Sequence, residues 1–414
     1  MAIPKYGTDR YEGINYERMR NYRLNRTKEM MKKHGLGCLV TWDAFSIRYI
    51  TGTYVTIPTR WIESQAVILP INGDPYVYAG GGGRPSRMID EMPWLKGKIF
   101  PGGIGGKRYL TIEALDPFVK IIADIMAEHG VTNQPVGLDC CTSELLWQEA
   151  LNKAGIKKVV DGKACMFETR MKKCRDEIEC IRIACANAEA AFADIQAAIR
   201  PGIRECDIMA VGMNRLYHEG ADEVQEFVCV SGEYTNPFRI DYTDRMIRVG
   251  DLIIVDINGN SWNGYKTCYY RTFCCGKPTP VQEEAFEMCH DLMFASEKFW
   301  KPGASTLDIA NAQPWGKKVF KGHGPDYWGY DTWESIPGYF AAHGIGISLH
   351  EFPWLMRDAP PQTLEEGLVF TPETWAGFKG GKDGVRLEIM IAITKDGYER
   401  LDLWPVDKLT ECWV

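Results

Sequence analysis

Apolar positions follow two regimes along this chain, and the change falls near residue 165. Before it, short apolar runs alternate with amphipathic stretches. Residues 15–34 (NYERMRNYRLNRTKEMMKKH) read as a charged helix stopped at Gly35, and residues 36–41 (LGCLVT) as a buried strand. Apolar runs at 65–70 and 75–79 flank the turn Asn72-Gly73-Asp74. Helices over about 110–129 and 143–154 alternate with strands at 136–138 and 157–160. This alternation predicts an α/β domain over residues 1–165.

From Arg175 the period lengthens. Ile178, Ile181, Cys185, Ala188, Phe192, Ile195 and Ile199 step by three and four, the stripe of one long amphipathic helix ended by Pro201-Gly202. Helices over 205–219 and about 281–299 follow, with strand-like runs at 225–230 and 252–258 between them. The last third reads as strands and loops at 342–350, 368–373 and 385–394, with a turn at Lys395-Asp396-Gly397. The second domain is therefore assigned residues 166–414, of mixed α+β character.

One late stretch, GYFAAHGIGISLHE at 338–351, holds two of the chain's seven histidines, His343 and His350. Small and β-branched residues alternate between them, the pattern of a strand closely approached by another backbone or a ligand. On a strand, a separation of seven puts the two imidazoles on opposite faces unless a bulge or turn intervenes. A buried strand with one satisfied histidine and one surface histidine fits the segment equally well.

Composition narrows the function classes. A net charge of −7 argues against a nucleic-acid binder, and no apolar run approaches the ~20 residues of a membrane span. The first residues, MAIPKYGTDRYEG, lack a signal-peptide core, so a cytoplasmic protein is expected. The 14 cysteines include no C-x-x-C pair, and Cys38, Cys180, Cys185 and Cys229 fall at apolar positions, which suits unpaired thiols in a reducing compartment.

Candidate chemistry gathers in the second domain. Asp256, Glu373 and Glu388 each follow or sit within an apolar strand, where a carboxylate is unfavourable unless paired or metal-bound. An arginine partner such as Arg386 or Arg271 is the structural explanation. The functional one is a one-His, two-carboxylate site from His343, Glu373 and Glu388 for a borderline divalent metal. Aromatic residues surround these segments: Trp262, Trp328, Trp333, Trp354, Trp375, Tyr265, Tyr269, Tyr270 and Tyr339. Aromatic faces beside carboxylates suit a cationic substrate head, although ordinary packing explains any single one.

The motifs HGIGISLHE, GLVFTPET and VRLEIMIAITKDG, following VGDLIIVD and YYRTF, resemble the pita-bread family of methionine aminopeptidase, aminopeptidase P, prolidase and creatinase. SIRYITGTY and the linker MKKCRDEIECIRIACANAEAAF are similar to the two-domain branch. Within it the likeness runs furthest toward the dimethylsulfoniopropionate lyases, on YERMRNYRLNR, FSIRYIT, VSGEYTNP and ITKDGYERL. The resemblance implies a creatinase-like α/β N-terminal domain, a pita-bread catalytic domain and a homodimer.

It also implies metal ligands at Asp256, His343, Glu373 and Glu388. The family's second metal aspartate stands three residues before the Arg-Thr pair, and here that position is Cys268; the extra aspartate of the lyases falls at Asn258. Three arrangements follow: Cys268 joins His343 and the glutamates around one metal, a single ion sits on His343, Glu373 and Glu388, or the site is metal-free as in creatinase. The proton-transfer histidine of creatinase corresponds to Thr235, and His350 matches the second histidine of the peptidases, a general acid or base. Arg60 and Trp61 occupy the place where creatinase-type dimers supply an arginine to the substrate carboxylate.

The leading expectation is an enzyme cleaving a C–N or C–S bond, as hydrolase or lyase, in a small zwitterion. His343, His350, Glu373 and Glu388 would carry the chemistry; Arg60, Trp61, Asp256, Tyr265, Trp354 and Trp375 would bind substrate. The alternatives are an Xaa-Pro-type metallo-aminopeptidase and an inactive binding module.

Overall fold

In the computed structural model the described residues are 13–53, 65–79, 84–102, 111–141, 143–312, 341–356, 359–378 and 380–414. They form two compact units, residues 15–170 and residues 171–414 with the short described stretch before Asn15.

The first unit is the expected α/β layer. Its six-stranded sheet runs β4-β3-β2-β1-β5-β6, with β1 Cys38–Thr41, β2 Gln65–Pro70, β3 Tyr76–Ala79, β4 Ile99–Pro101, β5 Val136–Asp139 and β6 Val159–Asp161. β1, β5 and β6 are parallel, as helical crossovers require, while β1, β2 and β3 are joined antiparallel. Helices α1 Tyr16–Lys33, α2 Ala44–Thr51, α3 Arg84–Glu91, α4 Ile112–Glu128, α5 Glu144–Lys153 and α6 Lys163–Met171 complete it. Asn15, Asp43 and Thr111 cap α1, α2 and α4 by accepting backbone N–H bonds that the first turn leaves unmade. The core closes where Trp42 meets Trp147, ring centroids 4.5 Å apart, with Phe118 edge-on.

The second unit opens on α7, Arg175–Ala198, and α8, Glu205–His218. The apolar stripe read from the sequence does pack: Ile181, Cys185, Ala188, Phe192 and Ile195 are buried, and Phe192 lies against Tyr269 and Trp404. A four-stranded sheet, β18-β11-β8-β7, contains β7 Glu226–Ser231, β8 Leu252–Asn258, β11 Tyr270–Cys275 and β18 Thr410–Cys412. Between β8 and β11 lies the small hairpin β9 Ser261–Trp262 and β10 Tyr265–Lys266. A second sheet, β13-β12-β14-β16-β17 with β15 paired to β14, contains β12 Ala342–Gly344, β13 Glu351–Leu355, β14 Val369–Gly377, β15 Gly384–Glu388, β16 Ile391–Ile393 and β17 Tyr398–Arg400. Helix α9, Pro280–Phe294, capped by Thr279, supplies Phe286, Met288, Cys289, Leu292 and Met293 to the core that Val385 and Leu387 of β15 enter; α10, Thr306–Ala312, follows.

Two expected strands are corrected. The stretch 342–350 is strand only to Gly344; a register shift between His343 and Gly344 ends it, and residues 346–350 are bends. The glycines that resembled strand punctuation mark where the backbone leaves the sheet. The stretch 385–394 splits into β15 and β16, because Ile389 N–H bonds Pro372 O and Met390 N–H bonds the Asp402 carboxylate instead of continuing one ladder.

β15 begins under strict steric limits. A Cβ on Gly384 would collide with the Thr235 carbonyl oxygen and lie 2.9 Å from the Trp375 indole. Gly384→Ala is therefore expected to destabilise the protein by about 1–3 kcal/mol, read as a lowered urea midpoint with unchanged slope. An unchanged midpoint would contradict the close approach.

Candidate active site

Three strands of one sheet place three polar side chains on one face. His343 of β12 is paired with Thr371 of β14; Glu373 stands two residues on from Thr371 and lies directly opposite Glu388 of β15. The other sheet brings Asp256 on β8, opposite Tyr270, and Cys268 just before β11. The sheets are stitched together beside the site. The Thr272 hydroxyl donates to Arg386 O at 2.8 Å and accepts from Arg386 N–H at 3.0 Å, and the Arg271 guanidinium donates to Glu388 O while pairing with the fully buried Asp402. The Arg-Thr pair noticed in the sequence is thus a clasp.

Within this frame Cys268 Sγ lies 3.6 Å from His343 Nε2, and His343 Nε2 lies 3.9 Å from Glu388 Oε1. The donor atoms of Cys268, His343 and Glu388 all fall within 4.8 Å of one another, and all three residues are buried. His343 Nδ1 is 2.8 Å from Gly344 O, so it carries the proton and turns the Nε2 lone pair toward Cys268 and Glu388.

Electrostatics set the site apart from ordinary core. Neither oxygen of Asp256 nor of Glu388 has a hydrogen-bond partner among the described residues. Burial pushes both carboxyls well above the usual range, and Glu373 with Asp256 adds repulsion at Glu388. Glu373 is raised by burial against the pull of Arg386, its ion-pair partner. That guanidinium stacks over Tyr270 and Phe238, 4.2 and 4.7 Å from the ring centroids. The arginine explanation considered for the strand carboxylates therefore holds for Glu373, while Arg271 answers Asp402. Burial, then His350, lowers His343 to about 3, burial lowers His350, and burial raises the Cys268 thiol.

The opposite-face expectation for the two histidines is overturned. Their rings meet edge to face, centroids 4.4 Å apart, and His350 also stacks on Trp354 at 5.6 Å. The cause is the bulge and the turn behind it. Glu351, buried, accepts Ser348 N–H at 3.1 Å and Lys173 Nζ at 2.9 Å, drawing the 344–350 segment back on itself. Gly344 and Gly346 are required here: a Cβ on the first would collide with Phe352 O, and on the second would stand 2.6 Å from Glu351. Lys173 and Glu351 carried no sequence signal beyond the position of Glu351 next to His350.

The remaining site residues fall in different places. Trp354 flanks both histidines. Trp375 is packed inside, its indole N–H donating to Thr235 O at 3.2 Å, and Tyr265 is buried with its hydroxyl on Glu177 at 2.7 Å. Tyr269 packs on Phe192 and Trp262 lies in the hairpin. Thr235 is buried and bonded to Gly232 O and Gly384 N–H, and Asn258 is buried two residues beyond Asp256. Arg60, Trp61, Trp328, Trp333 and Tyr339 lie outside the described residues.

Residues 179–395 match the sequence pattern of Metallopeptidase family M24. The chain belongs to this family. M24 relatives differ in how much of their length it spans. It is 28% identical to the probable dipeptidase PepE of Mycobacterium tuberculosis over 55% of this chain, spanning only 57% of that protein. It is 26% identical to the Xaa-Pro dipeptidase of Pyrococcus furiosus, over 62% and 69% of the two chains. With the dimethylsulfoniopropionate lyase DddP of Roseovarius nubinhibens it shares 23% identity over 98% of this chain and 91% of the other. Among solved M24 folds, the Xaa-Pro dipeptidase from Bacillus anthracis superposes with a TM-score of 0.75 at 20% identity, over 95% of this chain and 99% of that one. The α/β N-terminal domain and α+β pita-bread second domain expected from the motifs are the architecture observed. Among the described residues, no helix is long and apolar enough to cross a membrane.

A divalent ion suits the donors present. Cys268, His343 and Glu388 offer sulfur, nitrogen and oxygen in a buried cluster, and the unpartnered oxygens of Asp256 and Glu388 lack the compensation that buried carboxylates need. Without an ion these carboxyls oppose folding. Their folded pKa lies above the unfolded value, so their contribution is favourable at low pH and is lost as pH rises through the folded value. His343 has the opposite sign, subtracting stability as pH falls from about 6.5 toward 3, and is neutral in both states at pH 8. At pH 8 Glu388→Gln is therefore expected to raise the stability of chelator-treated protein by on the order of 1–3 kcal/mol and to abolish the thermal shift produced by Zn²⁺. A destabilised, ion-free variant would contradict this reading.

Proposed function

We propose that the chain is a hydrolase that cleaves the C–N bond of a dipeptide-sized zwitterion, with Xaa-Pro dipeptides the first substrates to try. The observation that carries this reading is the buried Cys268–His343–Glu388 cluster beside unpartnered carboxylates, in a chain of the M24 family. The dipeptidases among its relatives support the substrate size.

Cys268, His343 and Glu388 would hold a divalent ion, which when bound supplies Lewis-acid polarisation of the scissile carbonyl. Asp256 and Glu373, carboxylates in a low-dielectric setting, attract the substrate ammonium; Arg386 holds Glu373 in place. His350, partly exposed and with its pKa lowered by burial, is neutral near pH 7. It takes a proton from the attacking water and returns it to the leaving nitrogen, so that water's oxygen ends on carbon and its proton on nitrogen. Trp354, stacked on His350, shapes the apolar wall of the substrate site. Arg60 and Trp61 are proposed to receive the substrate carboxylate.

A second reading, elimination from a small sulfonium or quaternary-ammonium acid, draws on two observations: the nearly full-length similarity to a lyase, and Cys268 where a bridging carboxylate is expected. Incubation of the Zn²⁺-, Co²⁺- or Mn²⁺-supplemented protein with both substrate panels in H₂¹⁸O separates the two. Hydrolysis places one solvent oxygen in the product, and His350→Ala is expected to slow it by about 10²–10⁴-fold. An unsaturated product free of ¹⁸O would replace the proposal with the lyase reading, and absence of turnover with tight binding of one ligand would replace it with a binding role.

A further inference from the structure

The M24 residues that this chain keeps are accompanied by one that changes the character of the pocket. Cys268 stands two residues ahead of β11, and its sulfur faces His343 Nε2 at 3.6 Å. Glu388 completes the triangle with both carboxylate oxygens buried and without a well-formed hydrogen bond, the Cys268 thiol being the donor beside it, which is the independent sign that a ligand belongs there. Opposite Glu388, the Glu373 carboxylate is engaged by Arg386. A site with one thiolate, one imidazole and one carboxylate, all in one dry cluster, is a donor set for a borderline ion. An ion that prefers six hard oxygens at octahedral geometry is poorly matched by a set in which sulfur and nitrogen are two of the three clustered donors.

We propose that Cys268 is a metal ligand that makes this a one-ion, thiolate-containing centre selective for zinc-class ions (Zn²⁺, Co²⁺, Cd²⁺) over Mg²⁺ and Mn²⁺. The inference rests on the reading that the pocket holds an ion, and it adds which ion and how many. Binding replaces the S–H bond by a sulfur–metal bond and releases that proton to solvent. The ion would sit on Cys268, His343 and Glu388; Asp256, on β8 of the other sheet, is not one of the three clustered donors. Three protein ligands and an open position are the arrangement of catalytic rather than structural zinc sites.

The test is optical and needs no substrate. Full-length protein freed of metal is titrated with Co²⁺ and, separately, Cd²⁺, while near-ultraviolet absorption and bound metal are measured. A sulfur-to-metal charge-transfer band saturating at one ion per chain is expected. Cys268→Ser is expected to lose the band, which excludes the chain's other thiols as its source. Cys268→Asp, which keeps an anionic ligand, is expected to bind an ion without the band and to lose discrimination against Mn²⁺. Near-ultraviolet circular dichroism shows whether each variant is folded. Two ions per wild-type chain, a band that persists in Cys268→Ser, or ion binding by wild type with no band would each overturn the proposal. Because the readout is the resting protein's spectrum, a failure to find a substrate leaves it intact, and a loss of the band leaves the hydrolytic reading to its own isotope experiment.

Discussion

Asp256, Glu373 and Glu388 share a buried interior in which Arg386 pairs with Glu373, and this concentration of buried carboxyl groups is the constraint around which the second unit is arranged. Moving a carboxylate out of water without compensation is strongly unfavourable, and stable folds carry such groups only where the surroundings over-determine them. Here the compensation is partial. Arg386 satisfies Glu373, while the oxygens of Asp256 and Glu388 have only the Tyr270 hydroxyl and the Cys268 thiol beside them and make no well-formed hydrogen bond among the described residues. The remaining demand is of the kind that a cation from outside the chain, whether ion or substrate head, would meet.

Several features beside the site make sense as supports for that arrangement. Arg271 and Asp402 form a fully buried pair, joined by Arg400 at Asp402, whose other bonds include Glu388 O and Met390 N–H, the junction where β15 ends and β16 begins. Losing one partner of such a pair costs about 3–5 kcal/mol, so the pair is a strict requirement on both strands. Lys173 and Glu351 do the same for the histidine segment, and Thr272 locks β11 to β15. Strands hold Asp256, His343, Glu373 and Glu388, and Cys268 is two residues from the start of β11. Sites held this way keep ligand geometry without help from loops.

Much of this was legible in the sequence, for identifiable reasons. Helical periodicity located α7, because its stripe from Ile181 to Ile195 packs along its whole length. Carboxylates in apolar strands marked Asp256, Glu373 and Glu388, because burial of such residues is rare enough to be informative. The meeting of His343 and His350 was not legible, since period-two reasoning assumes an unbroken strand and a single bulge reverses its conclusion. Nor was the interior position of Trp375, as an aromatic residue beside a strand glutamate reads the same whether it faces substrate or, as here, donates to the Thr235 carbonyl. Long-range partners such as Lys173 for Glu351 leave no local pattern at all.

The departure from the family at Cys268 gives the account its content, because the same fold with a second bridging carboxylate would be read as a two-ion hydrolase. The most direct measurement is anomalous diffraction above and below the zinc edge, from crystals grown with Zn²⁺. One peak is expected, about 2.3 Å from Cys268 Sγ and about 2.0–2.1 Å from His343 Nε2, with Glu388 as third protein ligand. Two peaks bridged by Glu373 and Glu388, or no peak with Cys268 and His343 still in mutual contact, would contradict it.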